Sequence, residues 1–179
     1  MELTHWEYII YLHTCNLGDK SPSGTNPFTG EPVEYAIDRG LVYSELEAVR
    51  DVFDSNEIRG PEPNSEGYAI YGSGGDSLRF RCHSLDARET IKGMTVEIVV
   101  RHLSTATLET VLDVARAGNL ALTSCVGDRI RIVDREPNVA ELARWPDAES
   151  ISSVHELRGW IEDTIGGRKV RSGLDRYHS

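Results

Sequence analysis

Two histidines and two cysteines come nearest, by type and spacing, to a metal site in this 179-residue chain. His13 and Cys15 are two positions apart, so they share one face of a predicted strand, and Cys82 and His83 would meet them if their strands were neighbours. A structural zinc ion requires four such ligands in a tetrahedral arrangement. Because Cys82 and His83 are consecutive, their side chains point to opposite faces of a strand. We expect no metal and no cofactor.

A cysteine or histidine that acts in covalent catalysis needs a partner that activates it. Cys125 lies in a predicted turn and not at the start of a helix, which is the position that lowers the pKa of a thiol. His102 directly follows a predicted strand, where a general base often lies. The chain has no Gly-x-Ser-x-Gly elbow. Three cysteines without a CxxC spacing indicate reduced thiols, and we predict no catalytic residue.

The glycine-rich segment 72–76 has the composition of a loop that binds phosphate. Such a loop carries a Lys-Ser or Lys-Thr pair and leads into a helix. Segment 77–82 follows it with alternating apolar and polar residues, which predicts the turn of a β-hairpin instead. The carboxylates also lack the spacing of a glycosidase or metal-nuclease pair, so most of them are expected on solvated faces.

Segment 26–32, Asn-Pro-Phe-Thr-Gly-Glu-Pro, places one aromatic residue among turn-forming residues. Phe28 either docks back on the protein or is an exposed aromatic anchor in a stiff loop, as at binding hot spots. In the second case, nearby acidic side chains would complete a protein-binding surface. The predicted surface comprises Phe28, Glu31, Glu34, Asp38, Asp54 and Glu57.

The formal net charge is −10 and is unevenly distributed. Segment 168–179 holds four Lys and Arg residues against one Asp, which leaves −13 on residues 1–167. An acidic body repels nucleic-acid phosphates and anionic lipid but attracts a basic protein. We therefore expect a basic protein partner, with no nucleic acid and no membrane. Apolar stretches too short to span a bilayer, and a start without a basic n-region, predict a cytoplasmic protein.

The strand pattern is clearest in segment 4–14, where Trp6, Tyr8, Ile10 and Leu12 occupy the predicted core face. Short links between the strands from residue 68 to residue 103 favour antiparallel pairing, because a parallel crossover needs a longer connection. The further predicted strands are 33–37, 68–71, 77–82, 94–103, 120–122 and 129–133.

Capping residues predict where the helices begin. Ser44 followed by Glu47 predicts a capped helix that ends near residues 55–56. Ser104, Asn138 and Ser153 are the predicted caps of later helices, with Thr105 as the alternative to Ser104.

We predict an α+β fold in which two to four helices pack on a mainly antiparallel sheet. A single domain with a C-terminal helix is expected over residues 1–167, with loops at 16–32 and 57–66. Segment 168–179 is expected to be a basic, mobile tail.

Three functions are compatible with these features. The leading hypothesis is a non-enzymatic acidic module that binds a basic surface on another protein, as a bacterial immunity or inhibitor protein that masks a toxin does. The alternative is a small enzyme or ligand-binding domain whose pocket uses His13, His102 and a carboxylate. In the third, structural role, the basic tail docks on the acidic body of a second copy and forms a homo-oligomer.

Overall fold

The computed structural model describes residues 5–62, 68–73, 77–86, 90–124 and 129–170, except for the side chains of 19–23, 34–37 and 170. The described residues form groups of consecutive strands separated by single helices. In chain order these are β1 (His5–Thr14), β2 (Leu17–Thr25), β3 (Pro32–Asp38), α1 (Tyr43–Ser55), β4 (Arg59–Glu62), β5 (Ala69–Gly72), β6 (Leu78–Cys82), β7 (Gly93–Val100), α2 (Thr105–Ala117), β8 (Leu120–Thr123), β9 (Arg131–Val133), α3 (Val139–Arg144), β10 (Glu149–Ile151), α4 (Val154–Trp160), a π-helical turn (Ile161–Ile165) and β11 (Arg168–Val170).

Nine strands form one mixed sheet in the order β10-β9-β8-β1-β7-β6-β5-β4, with β11 also paired to β1. The pair β9–β10 is parallel and the other pairs of this sheet are antiparallel. β7 occupies one edge of β1, so β8 and β11 share its other edge. The predicted α+β class and mostly antiparallel sheet are confirmed.

One hydrophobic core lies between the sheet and helices α1, α2 and α4. Phe53 of α1 packs its ring 5.0 Å from that of Phe80 in β6. In β1, Ile10 and Leu12 of the predicted core face are buried, whereas Tyr11 between them is exposed. Residues of the opposite face therefore remain partly accessible to solvent.

A polar row crosses this second face of the sheet. Tyr11 of β1 is paired with Thr95 of β7, which is paired in turn with Arg81 of β6. Side chains at paired positions point to the same face of a sheet. The row therefore brings an aromatic ring, a hydroxyl and a guanidinium onto one surface.

The helix starts follow the predicted caps except in α1. Ser104, Asn138 and Ser153 each accept a hydrogen bond from the amide three residues later. The prediction for Ser44 is wrong, because α1 begins at Tyr43 and the carboxylate of Glu45 accepts a hydrogen bond of 2.9 Å from the Val42 amide. Glu45 also accepts a 2.6 Å hydrogen bond from Asn16, a tertiary contact that holds this earlier start.

Segment 16–32, predicted as a loop, contains β2, which pairs with β3 in a separate two-stranded sheet. β2 has few β-forming residues and includes Pro22, which a strand tolerates at an edge. Two register shifts, between Leu17 and Lys20 and between Pro22 and Gly24, accommodate this sequence. The hairpin therefore forms without the alternating apolar pattern from which strands are predicted.

Two other short strands also lie in segments predicted to lack regular structure. The expected loop 57–66 contains β4, an edge strand of four exposed residues. The first three residues of the expected tail 168–179 form β11 against β1. Both strands are polar and short, so that backbone pairing rather than side-chain burial determines them. The rest of the expected tail, 171–179, lies outside the described residues.

Candidate binding sites

The tip of the β2–β3 hairpin is closed by its own hydrogen bonds. The side-chain oxygen of Asn26 accepts a 2.9 Å hydrogen bond from the Phe28 amide, and the Asn26 carbonyl accepts one of 2.8 Å from Gly30. Gly30 has a φ of +73°, which glycine adopts without strain. Phe28 is 95% exposed, so its ring does not dock back on the protein.

The base of this hairpin is tied to the helices on either side. Asp38, at the end of β3, forms an ion pair with Arg144 of α3 and lies 3.3 Å from Nε2 of His13. Asn16, just before β2, donates a hydrogen bond to Glu45 of α1. The hairpin therefore projects from a fixed base and carries Phe28 at its far end.

Four exposed hydrophobic side chains lie on or beside the two helices that contact the base of the hairpin. Val139 and Leu142 of α3 are 86% and 40% exposed, and Val42 and Tyr43 at the start of α1 are 51% and 76% exposed. These helices are the two that bind the base of the hairpin. We name these four residues at the base, together with Phe28 at the tip about 20 Å away along β3, the hairpin face.

The predicted acidic surface does not form a single patch. Glu31 lies exposed beside the tip, and the side chain of Glu34 lies outside the description. Asp38 is 13% exposed and is neutralised by its partners, so it belongs to the scaffold. Asp54 and Glu57 are exposed at the far end of α1, about 18 Å along its axis from its first residue.

Two of the three cysteines lie among the described residues, and both are buried. Burial, with the negative charge of Glu141 as the next cause, raises the pKa of Cys15 to about 12. Burial raises the pKa of Cys82 to about 12 as well. Neither thiol is a nucleophile in this state. Cys125 lies outside the described residues.

The cavity that best matches the predicted pocket measures about 680 Å³ and lies at the partly exposed face of the sheet, not between sheet and helices. His13 contributes to its lining. His102 does not, because it follows the opposite end of β7, about 24 Å along an extended strand from Gly93, which pairs with His13. The two predicted histidines therefore cannot act together, and that part of the prediction is wrong.

Both ring nitrogens of His13 face oxygen acceptors. Nδ1 lies 3.1 Å from the carbonyl oxygen of Thr14, and Nε2 lies 3.3 Å from Asp38. A general base needs a nitrogen lone pair directed at the substrate. The histidine and carboxylate converge as the enzyme hypothesis requires, but Nε2 is engaged with Asp38 at the hairpin base and Nδ1 with the backbone of β1.

Sequence reasoning did not identify the other polar and aromatic groups around this cavity. The outward positions of Arg79 and Arg81 in a strand were the available signal, but nothing in the pattern indicated which strand lies beside them. The groups that the structure adds are Tyr11, Tyr68, Arg81 and Lys92, and His83, considered above only as a metal ligand, also lines the cavity.

Comparison of the chain with protein-family models, with curated proteins and with solved structures finds no match in any of the three. Within the described residues, no group of three or more His, Cys, Asp or Glu side chains is arranged to hold a metal ion. The same residues include no helix whose length and apolar character would let it cross a membrane.

Proposed function

We propose that this protein is an acidic protein-binding module that contacts a basic partner through the hairpin face. The observation that carries the proposal is Phe28, which is 95% exposed at the tip of a hairpin closed by hydrogen bonds. These hydrogen bonds fix the backbone of the turn, so little backbone entropy is lost on binding, and the exposed ring can bury a large apolar area. An exposed turn does not need an apolar phenylalanine side chain in order to be soluble.

The rest of the hairpin face supports an interface larger than one residue. Tyr43 and Val139 expose most of their side chains from the two helices that bind the hairpin base. Specific protein interfaces combine one or a few anchors with surrounding contacts that exclude water. Phe28 is the expected anchor, and the helix ends are the expected surround.

The net charge of −10 supports a basic partner, because complementary charge accelerates encounter. Glu31 beside the tip, and Asp54 and Glu57 at the end of α1, are exposed acids that contribute to this field. An immunity or inhibitor protein that covers the basic surface of a toxin, a nuclease above all, is the role that fits this chemistry.

The first experiment replaces Phe28 with the photocrosslinking residue p-benzoylphenylalanine in the cells that make the protein. We expect one dominant covalent adduct, whose second component is a basic protein. The matched position is Tyr68, which is 47% exposed beside the cavity instead of on the hairpin face. The proposal fails if both positions give the same adducts, or if the captured protein is acidic.

The second experiment measures association with the captured partner by stopped flow. Combined Glu31→Gln, Asp54→Asn and Glu57→Gln substitutions should slow association, and the effect should be strongest at low salt. Phe28→Ala should mainly accelerate dissociation, because it removes contacts and not charge. An association rate that is the same for the charge variant and the natural chain would contradict the predicted steering.

A further inference from the structure

The lining of the cavity on the partly exposed face of the sheet has a charge opposite to that of the whole chain. Arg81 and Lys92 line it together with His13 and His83, and no Asp or Glu is found among its described lining residues. This occurs in a chain whose net charge is −10. Its volume of about 680 Å³ lies within the usual range for small-molecule sites.

Its two basic side chains retain hydrogen-bonding capacity. Arg81 forms an ion pair with Glu97 through one Nη at 3.2 Å, and its Nε is buried without a hydrogen-bond partner in the described part of the chain, so its remaining Nη is the group that can donate to a ligand. Lys92 is exposed and has no ion-pair partner within that same part of the chain. A guanidinium has five N–H donors and an ammonium has three, so both groups can still bind an anion.

Two tyrosine rings also line the cavity. Tyr11 and Tyr68 are 38% and 47% exposed, and the Tyr68 ring lies 5.1 Å from that of His83. Gly93, which also lines the cavity, carries no side chain to fill it. Exposed aromatic rings offer flat surfaces for a planar ligand.

We infer that this cavity binds a small organic anion, with the anionic group at Lys92 and Arg81 and a planar ring against Tyr11 and Tyr68. The site is separate from the hairpin face, so the inference does not depend on the proposed protein partner. His13 remains engaged with Asp38 and is not assigned to the ligand.

The test titrates the full chain with adenosine monophosphate, adenosine and inorganic phosphate and follows backbone amide resonances by NMR. We expect adenosine monophosphate to shift the resonances of Arg81, Gly93 and Thr95 in a saturable manner. Adenosine lacks the charge and phosphate lacks the ring, so both should bind at least about tenfold more weakly.

Lys92→Gln should weaken binding of adenosine monophosphate about tenfold. The matched control is Arg101→Gln, which removes one exposed positive charge beyond the other end of β7. The inference is overturned if the two variants lose the same affinity for adenosine monophosphate. It is also overturned if adenosine or inorganic phosphate binds as tightly as adenosine monophosphate, or if none of the three probes shifts a resonance at the cavity.

Discussion

The guanidinium of Arg135 donates two hydrogen bonds, of 2.7 and 2.5 Å, to the two carboxylate oxygens of Glu141, a fully buried residue. The Asn138 amide donates a third, of 2.9 Å. Burial by itself raises the pKa of Glu141, but the hydrogen bonds and charge of these partners outweigh it, so the pKa is lowered. This pair joins α3 to the segment that precedes it.

Glu141→Gln should lower the free energy of unfolding at pH 7 by about 2 kcal/mol, because the charge-assisted hydrogen bonds are lost. The stabilisation from a lowered carboxyl pKa is complete above the unfolded value near 4.5 and is lost as pH falls from there through the folded value. Urea unfolding between pH 7 and pH 3 should therefore show the difference from the natural chain shrinking in acid. Glu136→Gln, an exposed change nearby, should show no such convergence, and a constant difference for Glu141→Gln would contradict the prediction.

Gly93→Ala should destabilise the protein by about 1–3 kcal/mol. A Cβ at this position would lie 2.4 Å from the carbonyl oxygen of Leu12 on the neighbouring strand, so the β1–β7 pairing has to shift. The control is Gly159→Ala in α4, where nothing lies within 4 Å of the added atom and alanine favours the helix. Thermal unfolding should move in opposite directions for the two variants, and a common direction would refute the steric argument.

Cys15 and Cys82 should resist alkylation in the folded protein. Each is buried and has its pKa raised to about 12, so almost no thiolate is present at pH 8. Iodoacetamide labelling followed by mass spectrometry of the peptides resolves each site, including Cys125. Labelling of Cys15 or Cys82 at equal rates in native and urea-unfolded protein would be inconsistent with the buried positions.

Phe28→Ala should leave the free energy of unfolding within about 0.5 kcal/mol of the natural value, since the ring contributes nothing to the core. Phe53→Ala removes the same ring from a site that is 3% exposed and should cost about 3–5 kcal/mol. Denaturant unfolding of the two variants makes this comparison. A loss of stability in Phe28→Ala near that of Phe53→Ala would mean that the ring docks on the protein.

A chain that ends at Gly167 should unfold about 5 °C below one that ends at Val170. The shorter chain lacks β11, which pairs with His5–Glu7 of β1, and it lacks Lys169, whose ammonium lies 5.5 Å from the centre of the Trp6 ring. Because residues 168–170 pair with β1, formation of a homo-oligomer through the basic tail is tested with the chain that ends at Val170. An unchanged mass in light scattering after removal of 171–179 would count against assembly through that tail.

The sequence was sufficient to predict the start of a helix where a contact between residues close together in the chain determines it. Ser153 and Glu156 form the predicted capping box of α4 because both partners lie within four residues. Glu45 shows the limit, since the oxygen that accepts a hydrogen bond from Val42 at the start of α1 also accepts one from Asn16, which lies 29 positions earlier. Sequence periodicity carries no information about such a distant partner.

Neighbouring side chains and composition were enough to predict the α+β class, the acidic charge and the burial of Ile10 and Leu12 in β1, whereas Trp6 and Tyr8 of the same predicted core face are only partly buried. Tertiary structure alone shows that β2, β4 and β11 are strands, since they are held by backbone pairing, with the neighbouring β3 and β5 and with the distant β1, and not by an apolar pattern of their own. It also decided that Phe28 is exposed and that Arg81 and Lys92 share one cavity. Exposure and convergence depend on which elements become neighbours, and that choice is made by the packing of the whole chain.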